Sequence, residues 1–247
     1  ELVQHPTSAR GPRGDTLAMD TLRYTHRGPL VAMDSGWFSL RWTVHEATRE
    51  SEIFLRLARA RTADEWLAAM EPYVAPTQNG LVADRTGTIA IRSSGRYPLR
   101  PAGATGDTVL DGTRSAHDWQ GALPVSRYPF ARNPAQGFLA SANQQPVDPQ
   151  ADDAYYGANW PAPWRALHLN ALLRADSAVT PGTMARWHTD PGSARVAAFL
   201  PVLREAGARA TDSVAARAAA LLAEWDGRYT LDNARAGLVE SVLDTLS

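Results

Sequence analysis

The residue in this sequence best placed to do chemistry is an amide, Asn79, which stands at the head of a run of strand formers in Gln78-Asn79-Gly80-Leu81. A side-chain amide at a strand edge can donate a hydrogen bond to a developing oxyanion, worth roughly 2.7–4 kcal/mol when the donor is preorganised. An Asn beside Gly also commonly does no more than make a turn, so the residue by itself leaves both readings open. Arg100, which closes Gly95-Arg96-Tyr97-Pro98-Leu99-Arg100, is open in the same way. A lone Arg after a Pro is ordinarily a surface residue or an ion-pair partner.

Other chemistries find less support. The six histidines (His5, His26, His45, His117, His168 and His188) are scattered, and no two have the i, i+4 spacing of a helical metal pair. Asp148, Asp152 and Asp153 could touch calcium, although an acidic surface loop is the plainer reading. There is no phosphate-binding loop, no dinucleotide fingerprint and no G-x-S-x-G elbow. Glu46 and Glu50 read as solvated charges at a helix start. The chain has no cysteine, which excludes disulfides, zinc thiolates and a Cys nucleophile within it. A self-contained active site of a familiar kind is therefore not visible.

The elements that must position Asn79 and Arg100 can be read from periodicity. Of 247 residues 44% are hydrophobic, enough to bury a sizeable core. The 25 basic residues against 26 acidic ones, with no block of one sign, argue against nucleic acid or a polybasic membrane contact. No apolar run approaches the roughly 18–20 residues of a membrane span. Thr16 to Tyr24 and Leu30 to Met33 flank the turn His26-Arg27-Gly28-Pro29 as a hairpin, and Trp37 to Val44 has strand composition. Ile53, Leu57 and Ala60 fall on one helical face. Trp66, Leu67 and Met70 form a second such run after an N-cap at Thr62.

Gly80 to Ala83 and Thr88 to Ile91 around Asp84-Arg85-Thr86-Gly87 give the clearest hairpin signal. From Ser93 to Pro149 the chain is Pro- and Gly-rich, with aromatics interleaved, and reads as an ordered irregular excursion. Helical patterns follow at Trp164–Leu173, Val196–Leu203, Ser213–Trp225 and Ala234–Leu246, with Pro181, Pro191 and Gly207 as punctuation. Strands first and helices last indicate an α+β fold. We treat residues 1–247 as one unit with a strand/helix/hairpin region (1–92), a loop-rich region (93–160) and a helical region (161–247).

Several segments, in order, resemble the penicillin acylase (penicillin amidase) family of N-terminal-nucleophile hydrolases. They are Arg23-Tyr24-Thr25-His26-Arg27-Gly28-Pro29-Leu30-Val31, with Arg27 where the family usually has His, and Asn79 through Ile89. Then come Gly95 to Arg100, Trp119 to Pro124, Asn133 to Asn143, Tyr155-Tyr156-Gly157 with Trp164-Arg165, and Trp225-Asp226-Gly227. The match runs over roughly residues 20–230 and looks like an internal fragment of the large (β) subunit.

The resemblance implies a partial N-terminal-nucleophile hydrolase fold with αββα layers. It implies hydrolysis of a linear amide, such as a β-lactam side chain or an acyl-homoserine lactone, through an acyl-enzyme. The nucleophile would be an N-terminal Ser of the large subunit, with its own α-amine, whose pKa lies near 8, as base. Asn79 falls at the oxyanion-hole position, and Arg100 at that of an Arg orienting the Asn and the amine. Gly80 replaces the aromatic that usually follows the Asn. The chain opens on Glu1, with no initiator Met or signal peptide, so the 247 residues alone are expected to be inactive.

Expected partners are a small N-acyl amide substrate, the rest of the large subunit and the small (α) subunit, with no nucleic acid and no membrane insertion. No cofactor is required for the chemistry. A structural calcium in the full-length protein would draw on ligands mostly outside this sequence. A periplasmic or extracellular location follows from the resemblance alone. A non-catalytic binding module that keeps the acylase scaffold is the competing reading.

Overall fold

The computed structural model describes residues 3–46 and 48–245, and for Leu17 and Met19 the backbone. Contacts cluster into two compact units, residues 1–139 with 146–159 and residues 140–145 with 160–247. The fold is mixed α and β, with two small antiparallel sheets and seven α-helices among the described residues.

The first unit opens with a four-stranded meander of β1 (Val3–Arg10), β2 (Thr16–Thr25), β3 (Gly28–Met33) and β4 (Gly36–Ser39), in that spatial order. The expected hairpin forms, with Tyr24 opposite Pro29 and Thr25 opposite Gly28. Gly28 is needed there on two counts: its φ is +140°, and a Cβ would lie 2.1 Å from the Leu40 carbonyl oxygen. The strand expected over Trp37–Val44 stops at Ser39, and Thr43–His45 coils into a single 3-10 turn. β1 carries no pattern that announces it, because all eight of its residues are exposed and nothing imposes alternation.

Two helices then prepare the second sheet. α1 (Glu50–Arg59) and α2 (Ala63–Met70) bury Ile53, Met70 and Tyr73 together, with Leu57 and Trp66 packed against them. Thr62 caps α2 as its sequence indicated, its side chain accepting from Glu65 N at 3.2 Å. β5 (Gln78–Ala83) and β6 (Ile89–Ser94) form the expected hairpin with Gly87 at φ +89°, but Thr88 joins the loop, bonded to Asp84, so that Ala83 lies opposite Ile89. A short third strand, β7 (Phe130–Arg132), lies within the stretch expected to be irregular and pairs with β6.

Asp84 ties hairpin to helix. One carboxylate oxygen accepts from Thr86 N (2.9 Å), Thr88 N (3.1 Å) and Thr86 Oγ1 (2.6 Å), and the other from Ala63 N at the start of α2 (3.1 Å). These bonds, that of the Thr86 side chain foremost, hold the carboxyl down to about 2.

The second unit is helical: α3 (Trp164–Ala175), α4 (Pro181–His188), α5 (Ala194–Ala208), α6 (Ser213–Ala223) and α7 (Arg235–Thr245). Val196, Leu200, Leu222, Trp225, Val239 and Leu243 make its core, with the one-turn pairs 196/200 and 239/243 aligning on α5 and α7. Two breakers behave differently from their punctuation role. Pro181 starts α4 at its first turn behind a Thr180/Thr183 capping box, and α5 continues through Gly207.

Candidate functional site

Asn79 is the second residue of β5, and the hairpin register sets Ser93 of β6 directly opposite it. Opposed side chains in such a pair share one face of the sheet. The Ser93 hydroxyl donates to Asn79 Oδ1. Ser93 is itself held at both ends, its N–H donating to the Pro129 carbonyl at 2.9 Å and its carbonyl accepting from the Tyr97 hydroxyl at 3.1 Å. Tyr97 packs edge-on against Tyr128 (4.9 Å between centroids) and Tyr156 (5.4 Å). Burial pushes its phenol far above the usual tyrosine range, so it stays a donor.

The neighbour of Asn79 matters as much. A Cβ on Gly80 would stand 2.3 Å from Cη2 of Trp66, so the indole of α2 lies across β5 where a side chain would otherwise project. One residue beyond β6, Gly95 has φ +153°, and a Cβ there would meet Thr77 Oγ1 at 2.6 Å.

Arg100 follows a short ribbon in which Leu99 N donates to Gly121 O (2.9 Å), Gln120 N to Leu99 O (2.8 Å) and Leu123 N to Tyr97 O (2.8 Å). Its guanidinium carbon lies 5.4 Å from the ring centres of both Trp119 and Tyr155, and that of Arg41 lies 4.9 Å from Trp119. Arg100 Nε is buried with no hydrogen-bond partner among the described residues, and the guanidinium lies against ring faces. Tyr155 is fixed in turn, accepting from Gly106 N at 2.6 Å.

Two grooves meet along this wall. The larger, about 890 Å³, has apolar sides that include Val31, Met33, Trp37 and Phe38. The smaller, about 300 Å³, is lined by Thr77, Arg96 and Tyr156 among others. Arg41, Arg100, Gly106 and Trp119 belong to both. Asn79 lines neither groove, while Thr77, two residues before it, lines the smaller. The structure thus places Asn79 on the sheet and Arg100 in the groove wall, each with defined partners.

The remaining candidates resolve into structural roles. Arg27 donates from Nε to Asp118 at 2.6 Å and from its terminal nitrogens to the carbonyls of Gly112 and Arg114. It anchors the excursion to the β2–β3 turn. Burial works to raise the Asp118 carboxyl, but hydrogen bonds from Arg27 and His26 outweigh it and leave the carboxyl lowered. Glu50 is more than a solvated helix-start charge, since its Oε1 accepts from Val74 N (3.2 Å) and Ala75 N (3.3 Å). The acidic loop does not suit calcium. Arg127 Nη2 sits 2.7 Å from Asp152 and 2.6 Å from Asp153, and Asp148 turns back onto Gln150 N at 2.9 Å. Among the described residues no group of three His, Cys, Asp or Glu side chains could hold a metal, and no helix is long and apolar enough to cross a membrane.

Sequence reasoning did not find Ser93 or Trp66 as neighbours of Asn79, nor Arg41 in the groove wall. Ser93 lay one residue out of reach: a loop of Asp84–Gly87 alone would set Ala83 opposite Thr88 and Asn79 opposite Arg92, whereas Thr88 joins the loop, Ala83 faces Ile89 and Asn79 faces Ser93. Trp66 and Arg41 depend on how helix and meander dock, which carries no local signal.

Comparison with known proteins gives consistent findings. The family model described as penicillin amidase matches residues 7–247. An acyl-homoserine lactone acylase QuiP from Pseudomonas aeruginosa is 28% identical over 204 residues, 75% of this chain and 23% of that protein. A penicillin G acylase from Escherichia coli is 28% identical over 180 residues, 71% of this chain and 21% of its own length. This chain therefore spans about a quarter of the length of these relatives. Among solved structures, a thermostable penicillin G acylase from Alcaligenes faecalis superimposes with a TM-score of 0.76 at 22% identity, over 92% of this chain and 42% of that one.

Proposed function

This chain belongs to the penicillin amidase family, and from that premise we propose that it forms part of an acylase that hydrolyses linear N-acyl amides through an acyl-enzyme. In this reading Asn79 is the side-chain donor of the oxyanion hole. The covalent step falls to an N-terminal nucleophile of the family type, which these 247 residues do not supply. By themselves they are expected to be inactive. The enzyme as a whole works outside the cytoplasm, with the small subunit and the remainder of the large subunit completing the site. The relatives named as penicillin and acyl-homoserine lactone acylases define the range of N-acyl compounds to assay.

The observation that carries the reading is the setting of Asn79. Its Oδ1 accepts the Ser93 hydroxyl on a strand pinned by α2, so the N–H₂ end is turned away from Ser93 in a fixed orientation. An amide in that setting stabilises a tetrahedral oxyanion without reorganising during the reaction. Arg100, held between two aromatic faces, orients the Asn and the nucleophile's amine by charge.

The test is Asn79→Ala in the full-length processed protein, assayed on an N-acyl amide. We expect kcat to fall about 100- to 1000-fold with KM changed little, as for loss of one preorganised donor. Turnover within threefold of the parent overturns the assignment. Saturable binding of the amide with no product from the processed parent overturns the enzyme itself and leaves a binding module.

A further inference from the structure

We propose that Ser93 is a positioning residue for Asn79: its hydroxyl selects which end of the amide faces the reacting carbonyl. The inference rests on the reading of Asn79 as the oxyanion donor and adds to it the group that makes the donor usable. A carboxamide is nearly symmetric in shape, and the oxygen and nitrogen ends exchange on a half-turn of the terminal torsion. Only one of the two orientations offers N–H to an oxyanion. In the other, a carbonyl oxygen points at developing negative charge and opposes it. Something must therefore choose, and the choice has to be in place before substrate arrives.

Ser93 is built to choose. It sits directly across the ladder from Asn79 and is 4% exposed, so water does not compete for its hydroxyl. That hydroxyl donates to Asn79 Oδ1, which fixes the oxygen end toward β6. The backbone of Ser93 cannot drift. Its N–H is bonded to Pro129 O (2.9 Å) and its carbonyl to the Tyr97 hydroxyl (3.1 Å). Tyr97, also 4% exposed, is wedged between two further tyrosine rings. The chain of contacts runs from a packed aromatic cluster to a strand, from the strand to a hydroxyl, and from the hydroxyl to the amide. Its neighbour Ser94 provides an internal contrast. That hydroxyl is buried as deeply but has no hydrogen-bond partner, so burial of a serine on this strand does not by itself produce such a bond.

The experiment uses the full-length processed enzyme with Ser93→Ala, Ser93→Thr, Asn79→Ala and the Ser93→Ala/Asn79→Ala double variant, each assayed for kcat, KM and melting temperature. Ser93→Ala is expected to lower kcat about tenfold with KM within twofold and a small change in melting temperature. Ser93→Thr, which keeps the hydroxyl, is expected to restore most of the rate. The double variant is expected to be no slower than Asn79→Ala, because a positioning group has nothing left to position. If Ser93→Ala does not accumulate, Ser93→Cys, with its weaker donor, takes its place and should fall between Thr and Ala. Full activity in Ser93→Ala beside a disabled Asn79→Ala overturns this inference alone. Multiplying losses in the double variant also overturn it, since they mark a structural effect independent of the amide. Unchanged activity in Asn79→Ala overturns the oxyanion reading beneath it.

Discussion

Replacing Gly80 by alanine asks whether the Trp66 contact governs the strand that carries Asn79. Gly80 is not in the left-handed region, so alanine introduces no backbone strain and the perturbation is purely steric. The new Cβ would sit 2.3 Å from Cη2 and 3.1 Å from Cζ3 of Trp66. Carbon atoms pack at about 3.5–4.0 Å, so one partner must retreat by more than ~1 Å. If Trp66 retreats it uncovers the Ile53–Met70–Tyr73 cluster on which it packs, and if β5 retreats it carries Asn79 with it. Either route falls under overpacking, which costs about 1–3 kcal/mol. In a chain of this size that is a drop of roughly 2–12 °C in melting temperature.

Thermal unfolding of Gly80→Ala, Trp66→Phe and the double variant measures it. The smaller ring should recover much of the loss, giving strongly non-additive energies. A Gly80→Ala change that costs as much in the Trp66→Phe background as in the parent, or that costs nothing in either, would refute the argument.

Two further outcomes concern the helical unit. Asp190 accepts from Arg228 Nη2 (2.8 Å), Gly192 N (2.8 Å) and His168 Nε2 (2.9 Å), and these bonds, Arg228 first, bring its carboxyl down to about 2 from 3.8. A depressed carboxyl stabilises the fold above its unfolded value and loses that contribution as pH falls from about 3.8 through about 2. The shift corresponds to about 2 kcal/mol. Urea unfolding should show Asp190→Asn less stable by that order at pH 6, with the gap closing toward pH 2; a gap that does not change with pH contradicts the ionic origin. Arg204 of α5 donates to the last carbonyls around the end of α6, from Nε to Leu222 O at 3.0 Å and from Nη2 to Trp225 O at 2.6 Å. Arg204→Ala should cost about 2–3 kcal/mol in the same assay, and Arg204→Lys should recover little because an ammonium cannot span both acceptors.

What the sequence made legible follows the range of the interactions concerned. The β5–β6 hairpin was readable as an element because its turn chemistry and strand composition are local, although both strands run beyond the expected bounds and Thr88 belongs to the loop. Four of the five helices of the second unit announced themselves by periodicity, while α4 hid behind Pro181, a first-turn residue that looks like a stop. β7 is three residues whose strand character comes only from pairing with β6. At the site, Asn79 and Arg100 stood out through their family resemblance and not through spacing. Their immediate partners are set by tertiary docking: Trp66 by the seat of α2, Tyr155 and Arg41 by the path of the excursion. Ser93 belongs to the legible hairpin, yet its pairing with Asn79 depends on Thr88 joining the loop, a one-residue shift of register that the turn residues do not announce.

The knot at Asp84 also bears on how freely this part of the chain can change length. Ala63 and Asp84 are 21 residues apart in sequence, and Glu50 reaches Val74 over 24, so residues 50–94 close on themselves through short loops. The segment between β6 and β7 contributes no strand to the sheet and returns only to lay three residues along an edge that is already formed. Doubling the length of such a loop costs about 0.6 kcal/mol in closure entropy. Insertions and deletions between residues 101 and 118 are therefore cheap for the sheet that bears Asn79, while they redraw the rim of the larger groove. Length is thus tightly set in the turns around the sheet and relaxed in this loop, save at Gly106, whose N–H holds Tyr155 against Arg100.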